Sequence, residues 1–474
     1  MKKALQSVVF FSLISFASVV PALAEKGDVV PAPNVIPPVT EAMQHPEYWI
    51  SRINGDPDRV IMTPGQITAL NEKNRSRPMD TTDMNGNPYS IRDIVDRKDI
   101  IGIQFHLEDP LTMRSFLGDS LRVRFKRARD YWLNGAYWDR RALPWTEERK
   151  NELVDATDEA SIPDLVLPRY GLLVRHTLNR VIPTDEAAFG RQFSTADMLQ
   201  STSLETGMPV AILHASKNSE WLYVKTELSF GWVPAVNVAE GSIKRIRHFA
   251  EPDDFVVSIA HNVSVYSDSD FRIHLTDIYL GARLMLVKKN DDGYRVLVPF
   301  RLKDGALDAV IGWIRLDAPV SVGYQPFTQR NVLETMFRLL YRPYGWADMC
   351  HERDCCGTVR VVLKTFGIIT PRWTTHELHS ADHVMIFPRG TPKEVKYRYL
   401  DTCEPGITLS GFTGHIVMYL GKADGSYFVI HQNGYSYYDN EGTEFRIGRV
   451  IVNDTELDGG SNIERFTEIS TFKP

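Results

Sequence analysis

Two segments in the middle of the chain repeat one pattern of residues. The first, Gly207 to Pro234, reads GMPVAILHASKNSEWLYVKTELSFGWVP, and the second, Gly281 to Arg315, reads GARLMLVKKNDDGYRVLVPFRLKDGALDAVIGWIR. Each copy opens with a glycine and a short apolar strand, turns through polar residues into an alternating strand, and closes with Gly-Trp and an aliphatic residue. Short alternating strands joined by polar turns predict small antiparallel β-barrels, so the repeat predicts two barrels in tandem.

We place these barrels at residues 166–248 and 249–322, and their pattern resembles that of bacterial SH3-like (SH3b) domains, which are frequent in cell-wall proteins. Residues 323–474 have a different character. An amphipathic helix from Thr328 to Leu340 leads into a sharp turn and a second helix. The strand-like runs GHIVMYLG and YFVIHQNGY follow, separated by a hairpin turn at Lys422 to Ser426. This last third is therefore predicted to be an α+β domain.

The start of the chain is typical of a secretory signal peptide. Lys2 and Lys3 precede an apolar run from Val8 to Val20, and Ala22-Leu23-Ala24 is a small-residue cleavage pattern. The run is short for a membrane span, no cysteine follows it to carry a lipid, and no later stretch is long and apolar enough to span. We expect a signal peptide at 1–24, export across the inner membrane and a periplasmic location.

The region before the barrels is expected to be mostly helical. Residues 25–40 are rich in proline and are interpreted as an extended linker, and 41–165 as an N-terminal domain. Met62 to Arg75 is predicted to be a helix that opens at Thr63-Pro64. The aromatic stretch from Arg127 to Trp145 is interpreted as core, although it is also able to flank a cleft of another domain.

Charge and cysteine content exclude several classes of protein. The net charge of −6 becomes −8 when Lys2 and Lys3 leave with the signal peptide, which does not favour nucleic-acid binding. The four cysteines all lie in the last third, too few for a disulfide framework, and their spacing is not that of a zinc site: Cys350, Cys355, Cys356 and Cys403. Whether Cys350 and Cys403 form a disulfide is a question that the sequence leaves open.

The stretch HERDCCGTVRVVLKTFG, His351 to Gly367, holds the candidate reactive residues. Its apolar residues fall at helical spacing, and Asp354 is expected to cap the helix, which puts Cys355 and Cys356 in the first turn. There the helix dipole and free backbone N–H groups favour a thiolate, and they can also face an oxyanion. Adjacent cysteines are poor disulfide partners, so this pair predicts reactivity more than cross-linking.

Two histidines are placed to serve a thiol nucleophile. His415 begins one predicted strand and His431 ends the next, so neighbouring strands are able to bring both imidazoles together. One would take the thiol proton and the other would orient it. By spacing alone, a small buried cysteine and two ordinary strand histidines are the more frequent outcome.

Residues 323–474 resemble the NlpC/p60 family of cell-wall cysteine peptidases, which have a papain-like fold. Five motifs of that family occur here in order: PYGWAD (343–348), DCCG (354–357), PRWT (371–374), GHIVMYLG (414–421) and VIHQNG (429–434). The order of a clip-like N-terminal domain, two SH3b domains and a peptidase also occurs in the family. The implied fold is a papain-like α+β domain preceded by two SH3-like barrels and a mostly helical region.

The resemblance assigns roles by position. It implies that Cys355 is the nucleophile, His415 the base and His431 the orienting residue. Tyr344 would help to form the oxyanion site, and five further residues would line the substrate cleft: Trp346, Asp354, Cys356, Arg372 and Thr374. The chain departs from the family at Cys356, usually serine, at Ala347-Asp348, usually Gly-Gly, and at Trp373-Thr374, usually a smaller polar pair.

The resemblance also implies a reaction. Such enzymes cleave peptidoglycan stem peptides between γ-D-glutamate and a diamino acid through a thioester, without a metal or organic cofactor. In related enzymes the first SH3b domain contacts the free amine of the stem peptide, and Asp185, Glu186 or Glu205 would be the acid here. The partners would be stem peptides or muropeptides, with no nucleic acid. Three points stay open: whether the substrate is the intact wall or free fragments, which diamino acid it contains, and the oligomeric state.

Three alternatives compete with this hypothesis. The segment HELHSADH, His376 to His383, holds three histidines, and His379 and His383 have helical spacing for a metal. It is one residue short of the His-Glu-x-x-His zinc signature, which favours a loop at the cleft edge. A non-catalytic wall-binding protein and an amidase or acyltransferase on the same scaffold are the other two.

Overall fold

The structure is a computed structural model that describes residues 29–76, 80–82, 84, 88–90, 107–192 and 194–474. The predicted signal peptide lies outside the described residues. Among the helices that the structure describes, none is both long and apolar enough to cross a membrane.

The described α-helices are short, with one exception of 17 residues: α1 (Pro46–Ile50), α2 (Pro64–Ser76), α3 (Gly118–Asn134), α4 (Glu147–Asp155), α5 (Ile243–Ala250), α6 (Gln329–Phe337), α7 (Cys355–Lys364), α8 (Thr374–Leu378) and α9 (Lys393–Leu400). The first strands pair locally or with other domains: β1 (Val30–Pro31), β2 (Asp80–Thr82), β3 (Pro88–Ser90), β4 (Phe116–Leu117) and β5 (Leu165–Val166).

The strands of the middle region form two seven-stranded sheets. The first barrel contains β6 (Arg169–Leu173), β7 (Thr177–Arg180), β8 (Gln200–Leu204), β9 (Pro209–Ala215), β10 (Trp221–Lys225), β11 (Phe230–Pro234) and β12 (Val238–Glu240). The second barrel contains β13 (Phe255–Ser258), β14 (Asn262–Tyr266), β15 (His274–Tyr279), β16 (Arg283–Asn290), β17 (Gly293–Arg301), β18 (Leu307–Ile314) and β19 (Val320–Val322).

The two barrels have the same topology. The strand order is β12-β6-β9-β10-β11-β7-β8 in the first and β19-β13-β16-β17-β18-β14-β15 in the second, so each strand has an equivalent seven places further along. The repeated Gly-Trp pairs lie in the equivalent strands β11 and β18. A Cβ on Gly231 would lie 1.8 Å from Asn179 Oδ1, and one on Gly312 would lie 2.6 Å from Val265 Cγ1. Both glycines therefore allow a close approach of the neighbouring strand, β7 or β14.

The C-terminal domain contains a six-stranded antiparallel sheet of order β20-β27-β21-β22-β23-β26. Its strands are β20 (His383–Ile386), β21 (Thr408–Phe412), β22 (His415–Ala423), β23 (Ser426–Asn433), β26 (Arg449–Asp454) and β27 (Glu468–Thr471); β24 (Ser436–Tyr438) and β25 (Glu444–Arg446) form a hairpin beside it. Ile416 and Met418 face the core that contains α6 and α7, whereas Val417 and Tyr419 face the core that contains α9. Strand β22 is thus buried on both faces.

The predicted helices and turn of this domain have close counterparts. Thr328 caps α6, which ends at Phe337 instead of Leu340, and Asp354 caps α7. The turn between β22 and β23 lies within the predicted Lys422 to Ser426.

The described residues of 41–165 are divided between two cores. Trp49, Ile61 and Leu70 pack in the core of the C-terminal domain, and Asn71 donates a hydrogen bond to the carbonyl of Gly367 over 2.8 Å. In contrast, α3 and α4 pack on the first barrel, where Phe125 contacts Tyr223 and Trp232. The first segment buries its apolar side chains in the core of the C-terminal domain, and the second buries its own against the first barrel. Hydrophobic burial is non-directional, so each segment packs where apolar surface remains to be covered.

The segment interpreted as a linker is extended but packed. Strand β1 pairs in parallel with β25, Val30 opposite Phe445, and Ala32 and Ile36 are buried against Ile447 and Ile451. Residues 29–40 therefore lie along the C-terminal domain.

A buried carboxylate joins the first barrel to α7. Glu205, 2 % exposed, accepts from Arg360 Nη2 over 2.8 Å and lies 3.3 Å from Lys364 Nζ. Burial by itself would raise the pKa of Glu205, but Arg360 and Lys364 hold the pKa of this carboxyl well below its usual value. The charge stays on the carboxylate and links two domains.

We expect Glu205→Gln to lower the free energy of unfolding by about 3–5 kcal/mol, because it leaves buried cations with an incomplete partner. Urea denaturation followed by circular dichroism measures the change. Glu186→Gln is the matched control, since Glu186 pairs with Arg149 at the surface with both side chains 45 % exposed, and its effect should be far smaller. Equal effects of the two substitutions would contradict this assignment.

Three domains also meet at a group of histidines. His351 Nδ1 lies 3.1 Å from Nδ1 of His176 in the first barrel, and its ring stacks on Tyr279 of the second barrel at 4.7 Å. Burial, followed by repulsion from Arg353, lowers the pKa of His176 to about 3 and also lowers that of His351. His261 of the second barrel contacts Arg342 nearby, and burial and Arg342 lower its pKa to about 4. These histidines are neutral in the folded protein at neutral pH.

Acid should therefore weaken this junction. A group whose pKa is lower in the folded state contributes stability above its unfolded pKa, about 6.5 for histidine, and that stability is lost as the pH falls toward the folded value. Melting temperatures of the wild type should fall between pH 7 and pH 4.5, and those of His176→Gln should fall less steeply. Parallel pH dependences in the two proteins would refute the role of His176.

Candidate active site

Cys355, the predicted nucleophile, lies at the start of α7, where local geometry fixes it. The Asp354 carboxylate accepts from Gly357 N over 2.8 Å and caps the helix. A Cβ on Gly357 would lie 1.9 Å from Asp348 Oδ1, so only glycine lets the buried Asp348 side chain approach this turn. Asp348 Oδ1 in turn accepts from Asp354 N over 3.2 Å. The first turn of α7 is held from both sides.

A tight hairpin brings a histidine to this turn. Strands β21 and β22 pair Phe412 with His415 across Thr413-Gly414, and Gly414 has φ = 101°, a conformation that favours glycine. Cys355 Sγ lies 3.9 Å from the Gly414 carbonyl oxygen, immediately before His415. Cys355 is 6 % exposed and His415 is 1 % exposed. The nucleophile and the base of the sequence prediction thus belong to one buried group.

The hydrogen bonds behind His415 assign its tautomer. Asn453 Nδ2 donates to the carbonyl of Asp454 over 2.9 Å, so Asn453 Oδ1 faces His431 Nε2 and accepts its proton over 2.7 Å. His431 Nδ1 is then an acceptor for His415 Nε2–H at 2.7 Å. The Nδ1 atom of His415 keeps its lone pair and is the available base.

A second contact on His431 argues for a different tautomer but is weaker. Asn433 Nδ2 lies 3.4 Å from His431 Nε2, and it also donates to the carbonyl of Gly459 over 2.8 Å. The shorter bond to Asn453 decides the proton position.

Burial keeps both imidazoles neutral. It lowers the pKa of His415 well below its usual value, with His431 and Arg465 adding to the effect. Burial also lowers the pKa of His431 to about 4, although the hydrogen bond to Asn453 acts in the opposite direction. A neutral base at physiological pH is suited to accept a thiol proton.

The two adjacent cysteines have different environments. Cys356 Sγ lies 3.2 Å from the Arg372 carbonyl oxygen and accepts from Arg372 Nη1 over 2.5 Å. A hydrogen bond with Cys355, followed by burial, raises the pKa of the Cys356 thiol well above its usual value. Cys356 therefore stays protonated, which is compatible with the prediction that Cys355 is the nucleophile of the pair.

A charged network supports this side of the cleft. Arg372 donates to Asp354 Oδ2 over 2.5 Å and to Thr202 Oγ1 over 2.8 Å. Thr202 Oγ1 donates to Asp348 Oδ2 over 3.3 Å, so the first barrel takes part in the network. All four side chains are buried, and each polar contact fixes the position of the next.

One cleft, with a volume of about 290 Å³, collects the predicted residues. Cys355 lines it together with the six residues assigned to the oxyanion site and substrate: Tyr344, Trp346, Asp354, Cys356, Arg372 and Thr374. Burial, and then the neighbouring Cys355 and Asp354, raises the pKa of Tyr344 well above its usual value, so its hydroxyl stays a donor. His415 and His431 lie buried behind this surface. The roles of these residues stay predictions.

The opposite wall of the cleft comes from outside the C-terminal domain. Tyr131 of α3 and four residues of the first barrel line it: Val181, Met198, Gln200 and Ser201. Gln200 Nε2 donates to the carbonyl of Ala347 over 3.3 Å and joins the wall to the turn after Trp346. The aromatic stretch from Arg127 to Trp145 is thus both core, through Trp132, and cleft, through Tyr131.

The acids that sequence reasoning suggested for this wall do not line the cleft. Glu205 is engaged by Arg360 and Lys364, and Glu186 pairs with Arg149. Asp185 is exposed and absent from the lining. Among the described lining residues Asp354 is the acidic one, and Arg372 pairs with it.

The structure gives little support to a metal site. In the described part of the chain, Asp354, Cys355 and Cys356 form the group whose ligand atoms approach one another, within 4.8 Å. Arg372 donates to two of these three residues, and its cationic guanidinium opposes a second cation. His379 is buried 3.7 Å from Glu468, whereas His383 is exposed on β20. All four cysteines are free, including Cys350 and Cys403.

Sequence reasoning missed Asn453, Asp348 and Thr202. Asn453 of β26 pairs with Val429 of β23. Val429 and His431 are two residues apart in β23 and so share a sheet face, which puts Asn453 on the same face as His431. Its sequence context, VND, has no motif, so only strand register identifies it. Asp348 was noted as a departure from Gly-Gly, and Thr202 carried no signal.

The comparisons with known proteins agree with this architecture. A family model for the SH3 domain of the SH3b1 type matches residues 185–234, within the first barrel. The chain is similar to an NlpC/P60 endopeptidase from Photobacterium damselae subsp. piscicida, with a TM-score of 0.71 and 17% identity over 94% of this chain and 100% of that one. It is also similar to an NlpC/P60 family protein from Bacillus cereus ATCC 10987, with a TM-score of 0.41 and 18% identity over 58% and 83% of the two chains. No curated protein sequence matches this chain.

The first of these similarities covers nearly the whole chain and identifies the fold. The protein has the α+β fold of NlpC/P60 proteins with a bacterial SH3 domain. The architecture predicted from the sequence motifs is confirmed, whereas the predicted domain boundaries stay predictions.

The histidine chain makes Asn453 a positioning residue that can be tested. Asn453→Ala should slow the alkylation of Cys355 by iodoacetamide by roughly one to two orders of magnitude, because His431 no longer has one fixed tautomer. Asn453→Asp keeps an acceptor and adds a negative charge that stabilises protonated imidazole, so the acid limb of the rate profile should move to higher pH.

Peptide mapping by mass spectrometry follows Cys355 separately from the other thiols. A purely structural role of Asn453 predicts lower stability without a shift of the pH profile. That result would contradict the tautomer assignment.

Proposed function

We propose that this protein is a cysteine peptidase that hydrolyses the stem peptide of peptidoglycan between γ-D-glutamate and a diamino acid. The observation that carries the proposal is the buried group of Cys355 at the start of α7 with the chain His415–His431–Asn453. The fold similarity to an NlpC/P60 endopeptidase supports the reaction class, and the SH3b1 match supports a wall substrate. Such a substrate requires a location outside the cytoplasm.

The reaction follows from the proton positions. His415 Nδ1 takes the thiol proton as Cys355 Sγ attacks the γ-carbonyl carbon of D-glutamate. The oxyanion that forms is stabilised by free N–H groups in the first turn of α7 and by the Tyr344 hydroxyl. His415 then gives its proton to the amine of the diamino acid, which leaves. Water, deprotonated by His415, cleaves the thioester and releases the γ-carboxylate and the thiol. The reaction uses no metal or organic cofactor.

The cleft wall supports a finer proposal about the substrate. Its described residues from α3 and the first barrel are uncharged, and nearby carboxylates already pair with arginine or lysine. A free α-ammonium of L-alanine would lose hydration there without gaining a counter-charge, whereas an amide would lose less. We therefore expect stem peptides that are still amide-linked to the wall to be cleaved at least as well as free ones.

Mass spectrometry of defined peptides tests the proposal. Two substrates are compared: L-Ala-γ-D-Glu-diaminopimelate with a free amine, and the same peptide attached to muramic acid. With the wild type, each should release diaminopimelate and a product that ends in D-glutamate. Cys355→Ala should lower the rate by at least about 10³-fold, while Cys403→Ala, which changes a thiol outside the cleft, should not.

The outcomes separate the alternatives. Cleavage of the free peptide alone would overturn the finer proposal and keep the peptidase. Cys355-dependent transfer to an added amine would indicate an acyltransferase, and the absence of any Cys355-dependent product would favour a wall-binding protein.

A further inference from the structure

A second cavity lies where the first barrel, the second barrel and the C-terminal domain meet. Its volume is about 90 Å³, which is enough for a small ion. The cavity shares no lining residue with the cleft at Cys355. The first barrel contributes Thr206, the second contributes Arg283, and α7 contributes Arg360 and Lys364. Beside the cavity the second barrel approaches α7 closely, since a Cβ on Gly281 would lie 3.1 Å from the Val361 carbonyl oxygen.

The cavity has an excess of positive charge. Arg283, Arg360 and Lys364 line it together with one acid, Glu227, which already pairs with Arg75 over 2.9 Å. Glu205 binds both Arg360 and Lys364, and Asp348 Oδ2 lies 3.8 Å from Arg360 but closer, at 3.4 Å, to Arg372. Burial lowers the pKa of Lys364, and Arg360 and Arg283 lower it further in spite of Glu205. The cations repel one another here.

Two buried donors in the lining lack a protein acceptor. Arg360 is 3 % exposed, and its Nε–H has no hydrogen-bond partner among the described residues. Thr206 is 5 % exposed, and its hydroxyl is likewise unpartnered within the described part of the chain. Buried donors are costly to leave unsatisfied, and both line the same cationic cavity.

We propose that this cavity binds a small oxyanion, of the size of phosphate or of a single carboxylate, through Arg360, Lys364, Arg283 and Thr206. Such an ion supplies the acceptors that the two donors lack and balances the excess charge. The ligand connects the barrels to α7, the helix that begins with Cys355. Binding therefore stabilises the arrangement of the three domains, and it does not require the peptidase activity.

Thermal unfolding of the full mature chain in inorganic phosphate measures this binding. With sodium chloride at equal ionic strength as reference, phosphate at millimolar concentration should raise the melting temperature by about 2–5 °C with saturation. General stabilisation by phosphate salts grows without saturation at much higher concentration, so the shape of the curve separates the two effects. Sulfate and acetate in parallel distinguish a tetrahedral oxyanion from a carboxylate.

Two variants connect the effect with the cavity. Thr206→Val removes one hydroxyl at nearly constant volume, and Lys364→Gln removes one charge; each should weaken phosphate binding on the order of tenfold by isothermal titration calorimetry. Lys393→Gln removes a surface lysine that pairs with Glu456 and should leave the binding unchanged. Because Thr206→Val is a mild change, it keeps the test valid if Lys364→Gln folds poorly.

The proposal is supported if any of the three oxyanions stabilises the wild type with saturation and binds more weakly to each cavity variant that folds. It is overturned if phosphate, sulfate and acetate all act no differently from chloride. It is equally overturned if the wild type, Thr206→Val and Lys364→Gln respond alike.

Discussion

The position of the Cys355 thiol depends on a buried carboxylate, that of Asp348. One oxygen accepts the backbone N–H of Asp354, and the other accepts from Thr202 and lies 3.4 Å from Arg372. The start of α7, the first barrel and the turn at Arg372 are thereby fixed relative to one another. Gly357 is required because any larger residue would displace this carboxylate. The Asp348 carboxylate thereby adds a contact between the C-terminal domain and the first barrel.

The second determinant of the site is the direction of a hydrogen-bond chain. Asn453 is oriented by a backbone carbonyl and so determines the tautomer of His431, which determines that of His415. No charged residue takes part in this chain, and the imidazoles stay neutral in their buried setting. The hydrogen-bond chain thus fixes the orientation of His415, the proposed base, without a carboxylate to stabilise its protonated form.

The parts of the structure that sequence reasoning predicted are those with local signals. The Gly-Trp pairs at Gly231 and Gly312 mark equivalent strands of two barrels, and Asp354 caps the helix that begins with Cys355. Asn453 could not be predicted, because its role depends on the register between β23 and β26. The division of residues 41–165 between two cores was also inaccessible, since an apolar helix face does not specify its partner. Glu205 was suggested as an acid of the first barrel, but its ion pairs with Arg360 and Lys364 depend on how the barrel packs on α7, which the sequence does not specify.

Strand β1 has a consequence for how the chain acquires its structure. Val30 pairs with Phe445, and residues from Trp49 to Leu70 pack in the same core as β22, β23 and β26. Contacts between the two ends of so long a chain give the C-terminal domain a high contact order, and they form late because a large loop must close first. The strand pairs of the two barrels join residues that are much closer in the chain, so the barrels can form before these contacts. Assembly of the site around Cys355 is therefore expected to be the last step of folding, after both ends of the chain have met.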